Sequence, residues 1–258
     1  MSETSPRGRF VWYDLITTDP GSAADFYTKV AGWGTQTWPG SGPTPYTMWT
    51  THDTPIGGVT KLSSDMQGTP PHWIGYVAVP NVDESAKQAE SMGGRILTPP
   101  IDIPEVGRWA VIADPQGAAI AIFTPKDGAQ QPEHVPNVGE ISWHELTTTD
   151  HAAAYEFYEK LFGWNKTGDH DMGEMGVYRT YGRGDLPLGG MFTKPADMPM
   201  PPNWLYYIRV PDVDEAAERV KALGGQVLNG PMDVPGGDRI AQCLDPQGAA
   251  FAVHARAD

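Results

Sequence analysis

Residues 10–33 read FVWYDLITTDPGSAADFYTKVAGW, and residues 141–164 read ISWHELTTTDHAAAYEFYEKLFGW. Trp12 and Trp143 stand 131 residues apart (143 less 12), about half of the 258-residue chain. The echo continues through PIGG at Pro55 and PLGG at Pro187, then VPNVDESA at Val79 and VPDVDEAA at Val210. Gly93-Gly94 answers Gly224-Gly225, and ADPQGAA at Ala113 answers LDPQGAA at Leu244. Solenoid units repeat every ~20 to 50 residues, so a repeat of this length is a duplicated domain.

Each copy reads alike. A first strand (residues 10–16; 141–147) ends at Asp19 or Asp150, each suited to cap a helix N-terminus. Pro20 follows at the first helical position, where its missing N–H is not needed. Apolar residues then recur at helical spacing: Ala23, Phe26, Tyr27 and Val30, and Ala154, Phe157, Tyr158 and Leu161. Gly32 and Gly163 close these helices. Short strands follow at residues 46–51 and 56–62, and at 177–181 and 188–193. The order restarts with a strand at 73–79 or 204–210 and a helix opening at Asp83 or Asp214. That helix ends at the Gly-Gly pair, and three more strands complete the unit, the last after the Asp-Pro-Gln-Gly turn. The pattern predicts an α+β protein with two βαβββ modules per half, each half an antiparallel sheet curled into a cup with helices outside. Residues 8–124 and 140–256 are the expected domains. The Pro- and Gly-containing stretch at 125–139 is the expected linker.

Composition narrows the classes. Eighteen basic against 32 acidic residues give a formal charge of −14. Such a surface repels nucleic acid and anionic membrane, which are excluded as main partners. No apolar run follows Met1 or reaches transmembrane length, and a lone Cys243 fits a reducing compartment, so a cytoplasmic location is expected. No dinucleotide fingerprint, phosphate loop or serine-hydrolase elbow occurs, and no cofactor is implied. A small molecule is the expected partner, with the two domains packed on each other in a monomer or weak homodimer.

The ordered set of D…FY…GW, VD before a helix ending in GG, and DPQGAA resembles the vicinal oxygen chelate superfamily. That superfamily includes glyoxalase I, extradiol dioxygenases, and bleomycin- and fosfomycin-resistance proteins. The tandem arrangement is most similar to a glyoxalase-like group whose members carry a hydroxylase label. In metal-using members the resemblance implies ligands on four strands, at positions held here by Trp12, Gly58, Ile74 and Ala121. Their counterparts in the second half are Trp143, Gly190, Leu205 and Ala252. None of these side chains offers a carboxylate, imidazole or thiolate, so no metal is expected at that position.

With Trp12 and Trp143 facing into the cups, strand parity brings Asp14 and Glu145 to the same face. It adds Tyr76 and Phe123 to the first cup, and Tyr207, Arg209 and His254 to the second. The expected ligand-binding set is therefore Trp12, Asp14, Tyr76, Trp143, Glu145, Tyr207, Arg209 and His254, with Glu145 and His254 as candidate proton carriers. Plainer roles are open for each. The indoles serve equally as core, Glu145 with Arg209 as an internal ion pair, and His254 as surface. Arg108 and Arg239 fit a loop-fixing role, DHDMGE from Asp169 a solvated hairpin tip, and Cys243 a small core residue. Two functions follow. One is a metal-free binder or converter of a metabolite or antibiotic. The other is a metal-dependent lyase, isomerase or dioxygenase acting by Lewis-acid polarisation.

Overall fold

The computed structural model describes residues 7–38, 46–64, 66, 68–126 and 134–257. The first half runs β1 (Phe10–Thr17), α1 (Pro20–Val30), β2 (Gly34–Trp38), β3 (Tyr46–Thr51), β4 (Thr54–Lys61) and β5 (His72–Ala78). It continues with α2 (Val82–Ser91), β6 (Arg95–Ile103), β7 (Gly107–Ala113) and β8 (Ala119–Pro125). The second half repeats the order as β9 (Ile141–Thr148), α3 (His151–Phe162), β10 (Asn165–Asp171), β11 (Val177–Arg183), β12 (Leu186–Thr193) and β13 (Asn203–Arg209). There follow α4 (Val213–Ala222), β14 (Gln226–Asp233), β15 (Arg239–Leu244) and β16 (Ala250–Ala255).

Two curled, open eight-stranded sheets result, ordered β2-β3-β4-β1-β5-β8-β7-β6 and β10-β11-β12-β9-β13-β16-β15-β14. They are mixed rather than purely antiparallel. β1 runs parallel to β4 and β9 to β12, while β5 runs parallel to β8 and β13 to β16. A parallel pair needs a long crossover, and the helix plus hairpin between its members supplies one. β2 and β10 carry no apolar alternation because they are edge strands whose residues are mostly exposed.

The caps are those the sequence implies, with one shift. Asp19 accepts from the Ser22 N–H and Asp150 from those of Ala152 and Ala153. The second helix of each half opens one residue earlier than Asp83 or Asp214. Asn81 and Asp212 are its caps, accepting from the N–H groups of Glu84 and Glu215.

Packing divides the chain into two compact units that cut across its halves. One draws on Met1–Val11, Gly75–His134 and His144–Trp204, the other on Trp12–Ile74, Val135–Trp143 and Leu205–Asp258. In the second unit Tyr27 lies edge-on to Trp73 and Phe251 and stacks near Trp33. In the first, Tyr158 stacks near Phe162, is tilted to Trp164 and lies edge-on to Trp204. Of the expected linker, residues 127–133 lie outside the described residues. Gly139 is packed in the second unit, where its N–H donates to the Arg209 carbonyl and its own carbonyl accepts from Trp33 Nε1 at 2.6 Å.

Candidate functional site

Asp14 on β1 is opposite Gly58 on β4. Tyr46, at the start of β3, lays its ring across that glycine, so that a Cβ at position 58 would overlap the phenol. The Tyr46 hydroxyl donates to Asp14 Oδ1. Trp12 Nε1 donates to both, at 2.8 Å to Tyr46 Oη and 3.0 Å to Asp14 Oδ1. Burial first, then the adjacent Asp14 charge, pushes the Tyr46 phenol well above its ordinary value, so it stays a donor. Asp14 itself is buried. A bare carboxylate there would lose its hydration, and the two donors compensate.

The second half builds the same pair inside the first unit. Glu145 is opposite Gly190, the Tyr178 ring covers that glycine, and the Tyr178 hydroxyl donates to Glu145 Oε2 at 2.9 Å. The sequence reading found both carboxylates and missed both tyrosines. Their spacing of 132 residues (178 less 46), shared by Gly58 and Gly190, was the available signal.

In the second unit Trp143 and Ile240 pack against a cluster of Leu205, Tyr207 and Ala252. The Tyr207 hydroxyl accepts from Gln242 Nε2 at 3.0 Å. Arg209 donates to the Pro136 carbonyl, fixing the segment that precedes β9. His254 is 7% exposed, so the surface reading of it is overturned. Its Nδ1 lies 2.7 Å from Ser142 Oγ and its Nε2 2.9 Å from Asp238 Oδ2. Glu145, Arg209 and His254 thus each have a separate partner. Tyr76 in the first unit is buried, with its ring 6.0 Å from that of Trp109.

Several other candidates resolve as structure. Arg108 is held by Asp83 and Asp102, and Arg239 by Asp214 and Asp233, all at 2.6 to 3.0 Å. Asp169, His170 and Asp171 lie on edge strand β10 rather than at a loop tip. Asp169 forms a two-pronged pair with Arg179, which holds its carboxyl far below the ordinary carboxylate range. Cys243 is fully buried, and burial pushes its thiol up to about 12. The positions that the resemblance assigns to metal ligands do not hold side chains that fit a divalent ion. Trp12, Ile74 and Ala121 offer no donor, and the glycine strand is overlaid by tyrosine in both halves. Among the described residues no group of three or more His, Cys, Asp or Glu side chains could hold a metal.

Two copies of one curled mixed sheet, each built from paired βαβββ modules, define a tandem member of one superfamily. The Glyoxalase/Bleomycin resistance protein/Dioxygenase superfamily model matches residues 9–122 and 140–253, and the chain belongs to that superfamily. It is 36% identical over 251 residues to the Mycobacterium bovis protein CFP32, provisionally named a glyoxylase, covering 94% of this chain and 92% of that one. It is 34% identical over 267 residues to the anthracycline biosynthesis protein DnrV of Streptomyces peucetius, covering 98% and 94%. Among solved structures, the Mn(II)-bound glyoxalase of Novosphingobium aromaticivorans superposes with a TM-score of 0.65 at 14% identity, covering 98% of this chain and 83% of that one. The 2,3-dioxygenase LapB of Pseudomonas sp. KL28 gives 0.65 at 11%, covering 97% and 92%. At such identities the solved structures speak to the fold alone.

Proposed function

We propose that this protein binds a small, planar, hydroxylated aromatic molecule and does so without the metal used by catalytic relatives. The observation that carries the reading is the Trp12–Asp14–Tyr46 constellation, in which the family's ligand strand is covered by a phenol and the nearby carboxylate accepts hydrogen bonds. A buried carboxylate beside an indole recognises a ligand hydroxyl while aromatic faces bind its ring. The similarity to a protein named for anthracycline biosynthesis supports that ligand class. Glu145 with Tyr178 offers a second such pair, and Trp143, Tyr207, Arg209 and His254 are the further ligand contacts proposed for the second half. The partner is small, the surface charge keeps nucleic acid and membranes away, and the chain works in the cytoplasm as a monomer or weak homodimer. No helix among the described residues is long and apolar enough to cross a membrane.

Fluorescence titration with an anthracycline, on protein first stripped with chelator, tests this. Binding should survive chelation. Asp14→Asn or Tyr46→Phe should weaken it about tenfold, the scale of one lost hydrogen bond to a charged group. Binding or turnover that appears only on adding back a divalent metal would overturn the reading in favour of a metal-dependent lyase, isomerase or dioxygenase. Equal affinity in both variants would remove the site.

A further inference from the structure

The two halves differ in chemistry at three positions that the fold brings together. Ser142, Asp238 and His254 correspond, at the 131-residue offset, to Val11, Gly107 and Phe123. One half has a serine, an acid and an imidazole where the other has two apolar side chains and a glycine. In the second unit these three form one hydrogen-bonded chain, from Ser142 Oγ to His254 Nδ1 at 2.7 Å and from His254 Nε2 to Asp238 Oδ2 at 2.9 Å.

We propose that Ser142, His254 and Asp238 form a general-base-activated serine that takes acyl groups from activated esters. The hydrogen bonds fix the protons. Burial raises the Asp238 carboxyl, but the His254 hydrogen bond, the Ala257 N–H at 3.1 Å and the neighbouring Arg256 act against it, and the carboxyl is held below its ordinary value. As a carboxylate Asp238 only accepts, so Nε2 carries the ring proton and Nδ1 is the base. Ser142 then donates to Nδ1, the shorter of its two contacts, since the Tyr207 carbonyl lies 3.3 Å away. A serine, a base in hydrogen-bond reach and a third group orienting the base are the parts that nucleophilic catalysis needs. Ser142 is half-buried and His254 buried, so the base is shielded.

The reaction balances with water as the only co-reactant. Ser142 Oγ attacks the acyl carbon while its proton passes to His254 Nδ1. The carbon–alkoxide bond breaks and the leaving alkoxide takes that proton, giving an acyl-serine and an alcohol. Water, deprotonated at the same nitrogen, attacks the acyl-serine and releases the acid and free Ser142.

The test is a fluorophosphonate, which forms a serine–phosphorus bond with loss of fluoride, followed by intact-mass measurement and peptide mapping, and beside it turnover of p-nitrophenyl acetate. One adduct per chain at Ser142 is expected, absent in Ser142→Ala. His254→Phe and Asp238→Gly, which install the first half's residues, should slow adduct formation by roughly 100-fold, the scale of a lost general base. Wild-type protein that takes no label, or labels elsewhere, overturns the proposal without relying on any variant. Unchanged labelling in folded His254→Phe overturns it as well. Failure here leaves anthracycline binding at Asp14 and Tyr46 unaffected, so the two readings fail separately.

Discussion

Gly58 and Gly190 show how much one missing methyl group decides. Each lies under a tyrosine ring, and a Cβ at either would overlap Tyr46 or Tyr178. Gly58→Ala and Gly190→Ala are each expected to cost about 1–3 kcal/mol, the usual penalty of overpacking, and to free the carboxylate from its phenol donor. Gly21→Ala is the contrast, because its Cβ would meet only ordinary contact and the residue lies in helix α1. That change should be neutral or stabilising by up to about 1 kcal/mol. Thermal denaturation of the three variants distinguishes them, and equal melting temperatures would refute the argument. His144 gives a pH-dependent counterpart. Its ring stacks on Phe10 at 3.7 Å, its Nδ1–H donates to the Leu188 carbonyl, and burial lowers its pKa from 6.5 to about 4. The fold therefore keeps the ring neutral while the unfolded chain still binds a proton. This contribution is whole above about pH 6.5 and is lost as pH falls toward about 4, to the extent of roughly 3 kcal/mol. His144→Asn keeps a donor for Leu188 without a titrating ring. Its melting temperature should start lower at pH 8 and fall less steeply between pH 7 and 4.5, and parallel curves would sink the assignment. Asp14 and Glu145, picked out by strand parity once the resemblance had set Trp12 and Trp143 inward, are both buried. Tyr46 and Tyr178 were marked only by their shared 132-residue spacing, and the meeting of Ser142 with Asp238 through His254 was not legible, because side chains that meet across neighbouring strands leave no periodic trace.

The elements meet through the repeated motifs themselves. In each Asp-Pro-Gln-Gly turn the aspartate Oδ1 accepts backbone N–H bonds, three at Asp114 and at least two at Asp245. The remaining oxygen of Asp245 accepts from Tyr27 on α1 at 3.2 Å, and that of Asp114 from Tyr158 on α3 at 3.0 Å. The tyrosine hydroxyl in turn accepts from Trp73 Nε1 at 2.9 Å or Trp204 Nε1 at 3.3 Å. So the FY of each helix and the DPQG of each turn, which look like separate motifs in sequence, are one buried network. Helix positions and turns were readable from capping and glycine chemistry, but this pairing was not, since its members come from opposite halves. Tyr27→Phe leaves a buried indole N–H without its acceptor and Asp245 Oδ2 without its phenol donor. It should cost about 1–3 kcal/mol, or a melting temperature lower by several degrees. Tyr158→Phe should cost a similar amount, and the two should add because they share no partner. Strongly non-additive losses in the double variant would contradict the separate networks.

At the scale of the whole molecule the duplication is inherited as two halves and assembled as two crossed units. We propose residues 8–124 and 140–256 as the ancestral domains, in keeping with the family matches at 9–122 and 140–253. Each sheet belongs to one half, yet α1 packs on α4 and α2 on α3. The face of α1 bearing Phe26 and Tyr27 meets Phe251, and Tyr27 meets Asp245, all supplied by the second half. A first half made alone, residues 1–126, would leave that face in water at ~25 cal/mol per Å² of apolar surface. It carries its own equivalent of the missing turn, because Asp114 in ADPQGAA matches Asp245 in LDPQGAA. The isolated half should therefore form a homodimer in which Asp114 of each copy accepts from Tyr27 of the other, as an isologous two-fold pairing allows. Sedimentation equilibrium should give a dimer, and Tyr27→Phe should weaken it about tenfold, in line with the loss of one buried hydrogen bond. A folded monomer with cooperative unfolding, or a dimer insensitive to Tyr27→Phe, would show that the halves stand alone and that crossing contributes nothing to their stability.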